Sequence, residues 1–227
     1  MSKNAAAGRS LNYMTITPQE RSELGRQLLE EIGTGSPDSD TVKSLIARGA
    51  DLEYRDGDKG RTPVLSASMG SRCNEALSLL LAAGATPDVR GENGATPLLM
   101  AVLIKNEEQV DMLIAHGAPL DDTGFKGKTP LMWAAHTGAA DIVKKLLAAG
   151  ADADMKMPSG MDAAAFAASN NKIHIQKYIE QHIESRNTAK AAFDAAVKAG
   201  MPLDHDIAPM HMSIPRKRRA QNQPRRP

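Results

Sequence analysis

Aromatic residues are scarce in this chain: one tryptophan, three tyrosines and three phenylalanines make up 3% of its 227 residues. A core so poor in rings must be filled by Ala, Leu, Ile, Val and the 12 methionines, and thin layers of small side chains suit stacked helix pairs. Cysteine is scarcer still. A lone Cys73 permits no intrachain disulfide, which excludes a disulfide-stapled secreted scaffold and points to a reducing compartment. The longest apolar run, Leu98 to Ile104, is far short of the roughly 20 residues that span a bilayer. Residues 1–14 hold no apolar stretch of a secretory leader. A cytoplasmic chain without membrane association is expected.

The residues of an enzyme are missing as well. Catalysis needs a nucleophile, a base and oxyanion donors that converge, or metal ligands at a workable spacing. The six histidines are scattered and lack cysteine partners. His174 and His182 fall near two turns apart on a predicted helix, but zinc needs further ligands. Asp204-His205-Asp206 sits at a turn and reads as solvated polar residues. Gly57–Gly60 and Gly124–Gly127 carry no phosphate-loop pattern and read as hairpin turns. Cys73 stands beside Arg72, the electropositive neighbour a reactive thiol needs, yet a tolerated loop cysteine is the simpler reading. Neither catalysis, cofactor nor metal is expected.

Charge is balanced overall, at +1, but unevenly placed. Residues 214–227 carry six of the 28 basic residues and no acid, so the remainder has five more acids than bases. The two parts are expected to do different things.

What is present is a repeat. Gly60-Arg-Thr-Pro-Val-Leu-Ser-Ala67, Gly94-Ala-Thr-Pro-Leu-Leu-Met-Ala101 and Gly127-Lys-Thr-Pro-Leu-Met-Trp-Ala134 align, and Gly160-Met-Asp-Ala-Ala-Ala-Phe-Ala167 is a decayed fourth copy. Their first glycines stand 34, 33 and 33 residues apart, and a second series, Gly49, Gly84, Gly117 and Gly150, keeps step at 35, 33 and 33. Thr62, Thr96 and Thr129 sit where a helix N-cap belongs, and Pro63, Pro97 and Pro130 fill the first helical position, where a missing N–H is harmless. A second helix, clearest at Asp141 to Ala149, puts Ile142, Val143, Leu146 and Leu147 on one stripe. The second glycine series then ends those helices in the left-handed conformation. One extra residue of the Gly60 copy is placed in the Ser71–Asn74 turn.

Through these motifs the chain resembles the ankyrin-repeat family, with its signature Thr-Pro-Leu-His-x-Ala over about 33 residues. The signature histidine is replaced by Leu65, Leu99 and Met132. The resemblance covers roughly residues 36–182 and implies an all-α solenoid of about five helix-turn-helix repeats with hairpin loops. Thr17-Pro18-Gln19-Glu20 is a capping box that opens an N-terminal helix through about Ile32, and Thr41 to Arg48 is its partner. Ile173 to about Ala199 reads as one long helix or two broken near Asn187, and Ala199 to Asp204 echoes His116 to Asp121 as a degenerate further unit. The expected division is a disordered 1–15, a repeat domain with helical caps over 16–205, and a disordered basic tail at 206–227.

The resemblance further implies a protein partner held on a concave face built from hairpins and the exposed positions of each first helix. By alignment these are Asp58, Lys59, Arg61 and Met69, then Glu92, Asn93, Leu103 and Ile104, then Phe125, Lys126, Lys128 and His136. A fifth repeat adds Pro158, Ser159, Met161, Ser169 and Asn170. Met69, Leu103, Ile104 and Phe125 form an apolar island, whose competing reading is packing between repeats. Trp133 reads as packing between repeats ahead of a binding hot spot. An adaptor, an inhibitor or a host-directed bacterial effector is expected, acting as a monomer, with an immunity-like enzyme blocker as the alternative. In the tail, Arg216, Lys217, Arg218 and Arg219 suit an import receptor, a secretion system or, more weakly, a nucleic acid, against a bland solubilising end. Export to a host cell and entry to its nucleus are the variant of the cytoplasmic expectation.

Overall fold

A computed structural model of the chain describes residues 16–57 and 59–199, with the side chain of Phe125 left undescribed. The expected disordered ends, Asp58, the degenerate unit after Ala199 and the basic residues Arg216 to Arg219 lie outside that range.

Ten α-helices and two 3-10 turns, with no strand, make up the described residues. They run as five helix pairs: α1 (Pro18–Gly33) with α2 (Ser39–Ala47), α3 (Pro63–Ala67) with α4 (Asn74–Ala82), α5 (Pro97–Leu103) with α6 (Glu107–Ala115), α7 (Pro130–Thr137) with α8 (Ala140–Ala148), and α9 (Ala163–Ser169) with α10 (Ile173–Lys198). First helices stack on first helices and second helices on second helices, giving two layers around one elongated core.

Local chemistry starts and stops each element where the repeat motif requires. Thr62, Thr96 and Thr129 are extended N-caps whose hydroxyls accept from the amides of Leu65, Leu99 and Met132 at 3.3, 3.3 and 3.2 Å. In the decayed copy Asp162 takes over this role, accepting from Ala165 at 2.8 Å. Gly49, Gly84, Gly117 and Gly150 close the second helices with φ of 88, 91, 81 and 96°, a region where a side chain would collide with its own backbone. The Thr17–Glu20 capping box forms in full. Asp38 starts α2 two residues before the expected Thr41, because its carboxylate accepts from both the amide and the hydroxyl of Thr41. α10 runs unbroken through Asn187.

The core repeats with the sequence. Leu80, Leu113, Leu146 and Ile179 stand 33 residues apart, one from each of the last four second helices, and all have zero exposure. Their helices touch in order, α4 with α6, α6 with α8 and α8 with α10, so the array is held by contacts between adjacent units.

Four hairpins join the pairs. They close through Asp56 with Arg61, Gly91 with Ala95, Gly124 with Lys128 and Met157 with Met161, by amide-to-carbonyl bonds of 3.1, 2.9, 3.3 and 2.9 Å. The first spans one residue more than the others, so the 35-residue glycine interval has a second cause besides the long turn after α3. That turn, Ser68 to Cys73, does carry the extra residue expected there. Cys73, read from sequence as a loop cysteine, is buried at 1% exposure at the head of α4, and burial pushes its thiol pKa up. A buried, protonated thiol is inert, which removes the reactive reading.

Candidate partner-binding face

Residues at equal positions of successive repeats must stack, so the face of the first-helix layer can be read as ladders along the array. One ladder is Ser66, Met100, Trp133 and Phe166; the next, three residues on, is Met69, Leu103, His136 and Ser169. Ser66 is buried, Met100 half-buried, and Trp133 and Phe166 are buried at 9% and 6% exposure. The side chains grow toward the end of the array, where two rings meet the face.

The hairpins beside this layer are firmly built. Asn93 and Gly94 take φ of 59 and 75°, the pair of left-handed residues of a type I′ turn, and the Ala95 amide closes the turn on the Glu92 carbonyl at 3.3 Å. Lys126 and Gly127 repeat the pattern at 59 and 68°. Adjacent hairpins are stitched together: the Arg55 guanidinium donates to the Arg90 carbonyl at 2.9 Å, and Arg90 donates to the Thr123 carbonyl at 3.3 Å and pairs with Asp122. Beneath them, Leu65 and Leu99 occupy the signature histidine position. A Cβ added at Gly91 or Gly124 would come within 2.6 or 2.5 Å of their methyl groups. The replacement of histidine by leucine therefore goes with glycine in the next hairpin.

The expected contact residues are distributed as follows. Lys59, Glu92, Asn93 and Lys126 are exposed on hairpins. Arg61 is half-buried and bound to Asp56 within its own hairpin, through Nε at 2.9 Å. Met69 is exposed at 44%, Ile104 is half-buried, and Leu103 is half-buried and packs against the core. Phe125 lies in the 3-10 turn Phe125–Gly127. Pro158, Ser159 and Ser169 are exposed, and Met161 and Asn170 half-buried.

Lys128, His136 and Asn170 are the three that the fold brings together. The Lys128 ammonium lies 4.4 Å from the centroid of Trp133 and 4.2 Å from that of Phe166. His136 stands edge-on to both rings, at 5.6 and 6.0 Å, and its Nδ1 meets the Asn170 amide at 2.9 Å. Trp133 and Phe166 are 33 residues apart, one repeat, so the sequence held the means of pairing them. The position of Lys128 between them was not foreseen, because it depends on the hairpin folding back over the helix start.

This cluster shifts its own titrations. Burial, and then the Lys126 charge, holds the Lys128 pKa below its ordinary value. Burial, followed by Lys128 and Lys126, does the same for His136. Below the ordinary value of 6.5 the unfolded chain therefore binds a proton that the native His136 still refuses, so acidification through that window lowers stability. Lys128→Gln should raise the His136 pKa part of the way back, leaving the burial contribution in place. An NMR titration of the His136 ring would show it; an unmoved or lowered midpoint would mean the lysine does not act on the ring.

No metal site accompanies the cluster: among the described residues no group of three or more His, Cys, Asp or Glu side chains is placed to hold an ion. Nor is any helix of those residues long and apolar enough to cross a membrane.

Comparison with known proteins agrees with the architecture. Residues 34–123 and 67–157 match a family described as ankyrin repeats (3 copies). Over 66 residues the chain is 38% identical to the 2-5A-dependent ribonuclease of Homo sapiens; that stretch is 29% of this chain and 9% of the relative. The chain thus spans under a tenth of that protein's length.

Proposed function

Because the chain belongs to the ankyrin-repeat family, whose arrays are in general protein-interaction modules, we propose that it grips one protein partner through the hairpins and first helices α3, α5, α7 and α9. The observation that carries this reading is the composition of that face along the array. Its α3–α5 end presents exposed Met69 and half-buried Ile104, which the core does not need. Its α7–α9 end presents a lysine and a histidine against two rings. Apolar and aromatic groups held on rigid elements are what protein interfaces concentrate at their centres. Although α10 exposes Ile173, Tyr178 and Val197, the outer faces of the other second helices carry ion pairs such as Lys145 with Asp111 and Lys144 with Asp141. Exposed pairs of that sort contribute little to affinity.

An adaptor or an inhibitor works through such a face without chemistry of its own. The test compares two double variants as bait. Met69→Asp with Ile104→Asp should reduce partner capture on the order of a hundredfold, the loss typical of central contacts. Ser78→Asp with Lys144→Glu, on second helices, should leave capture intact. The reverse pattern would place the interface on the opposite layer.

A separate proposal concerns the tail. The composition of Arg216, Lys217, Arg218 and Arg219 supports an address peptide, read by an import receptor or a secretion system. Replacing the four by alanine in a fusion too large for passive nuclear entry should abolish nuclear accumulation in a eukaryotic cell. Accumulation that persists would eliminate the import role.

A further inference from the structure

Among the described residues, the charge of Lys128 is answered only by rings. The arginines of the hairpin row have oxygen partners: Arg61 has Asp56, Arg90 has Asp122 and the Thr123 carbonyl, and Arg55 has the carbonyls of Gly60 and Arg90. Lys128 instead rests against Trp133 and Phe166, and among the described residues no carboxylate lies within ion-pair distance of it. A cation held on ring faces keeps its remaining N–H groups for an acceptor. Lys126, exposed two residues earlier, adds a second positive charge beside it, and His136 walls the rings edge-on.

We propose that Lys128, framed by Trp133 and Phe166 and seconded by Lys126, docks an acidic side chain, Asp or Glu, of the protein partner. The inference rests on the face proposed above and adds its chemistry. A carboxylate approaching from solvent meets an ammonium that is already half-buried and positioned by two rings, so little ordering remains and the bond is charge-assisted. An extended polyanion fits less well. Outside residues 214–227 the chain carries five more acids than bases, which repels a nucleic-acid backbone, whereas a single carboxylate matches Lys128. Met69 and Ile104, at the α3–α5 end, call for apolar side chains on the same partner segment. The recognised segment is therefore acidic where it crosses α7 and α9 and apolar where it crosses α3 and α5.

Selection of random 12-residue peptides displayed on phage against the full chain tests this, with emission of Trp133, the sole tryptophan, reporting binding at the site. The expected peptides are enriched in Asp and Glu over the input library. Lys128→Gln should weaken them about tenfold or more with circular dichroism unchanged, while Lys128→Arg should keep most of the affinity. Should Lys128→Gln lose helicity, Lys128→Met, which keeps an apolar stem against the two rings, must still weaken the acidic peptides. Peptides without acidic enrichment, acidic peptides indifferent to both substitutions, or an empty selection would overturn the inference. So would a single-stranded 12-nucleotide oligothymidine that displaces the bound peptide at equal concentration. Peptides lost on Met69→Asp but indifferent to Lys128→Gln sink the acidic contact and leave the face standing. Peptides indifferent to every substitution on the face sink both.

Discussion

Leu146→Ala is expected to lower the unfolding free energy by about 2–5 kcal/mol, the range for truncating a fully buried leucine into a cavity. Leu146 has zero exposure in α8 and stands in register with Leu113 and Ile179, one repeat away on either side. Because each unit is stabilised by its neighbours, the loss should not stay local: α6 and α10 lose a packing partner together with α8. Urea denaturation followed by circular dichroism reads the loss as a lower midpoint, and hydrogen exchange should quicken in α6 and α10 as well as α8. An unchanged midpoint would mean that α8 does not lie between its neighbours in this register.

Gly124→Ala should cost about 1–3 kcal/mol, the range for overpacking a close-fitted interior. Its φ is −86°, so conformational freedom is not the issue. Space is. A Cβ there would stand 2.5 Å from a Leu99 methyl and 2.6 Å from the Gly94 carbonyl oxygen, and the second of these is backbone of the adjacent hairpin, which cannot swing aside as a side chain does. Gly91→Ala is the matched control, since its closest neighbour, at 2.6 Å, is only the end of the Leu65 side chain. The Gly124 variant should be the less stable of the two in parallel urea melts, and it should bind the partner more weakly because the hairpins carrying Glu92 and Lys126 are forced apart. Equal, small losses for both would show that the hairpins are not in close contact.

Much of this architecture was legible from the motif residues, since each performs a local task that does not depend on the rest of the chain. A threonine before a proline caps a helix, and a glycine after an apolar stripe ends one. Even the decayed fourth copy could be aligned, for Asp162 caps α9 as well as threonine would. At α2 the sequence placed the helix start at Thr41, two residues late, because Asp38 caps it by accepting both bonds from that threonine. Cys73 was misread for another reason: a turn residue looks exposed in one dimension, but the long turn after α3 folds inward and is held there by Gln109, which donates to the carbonyls of Ala67 and Gly70. The face was half legible. Alignment found Lys128 and His136 one at a time, whereas the sandwich around Lys128 joins a hairpin, the helix it precedes and the helix one repeat later.

The central claim is that one layer of the array, the hairpins with first helices α3, α5, α7 and α9, is the surface that a partner covers. Hydrogen exchange of the full chain, alone and with the captured partner bound, tests it most directly. The account predicts slowed exchange in the hairpins around Lys59, Glu92 and Lys126 and at the ends of α3, α5 and α7 near Met69, Ile104 and His136, with α4, α6 and α8 unchanged. Protection concentrated on α4, α6 and α8, with the hairpins unaltered, would contradict it.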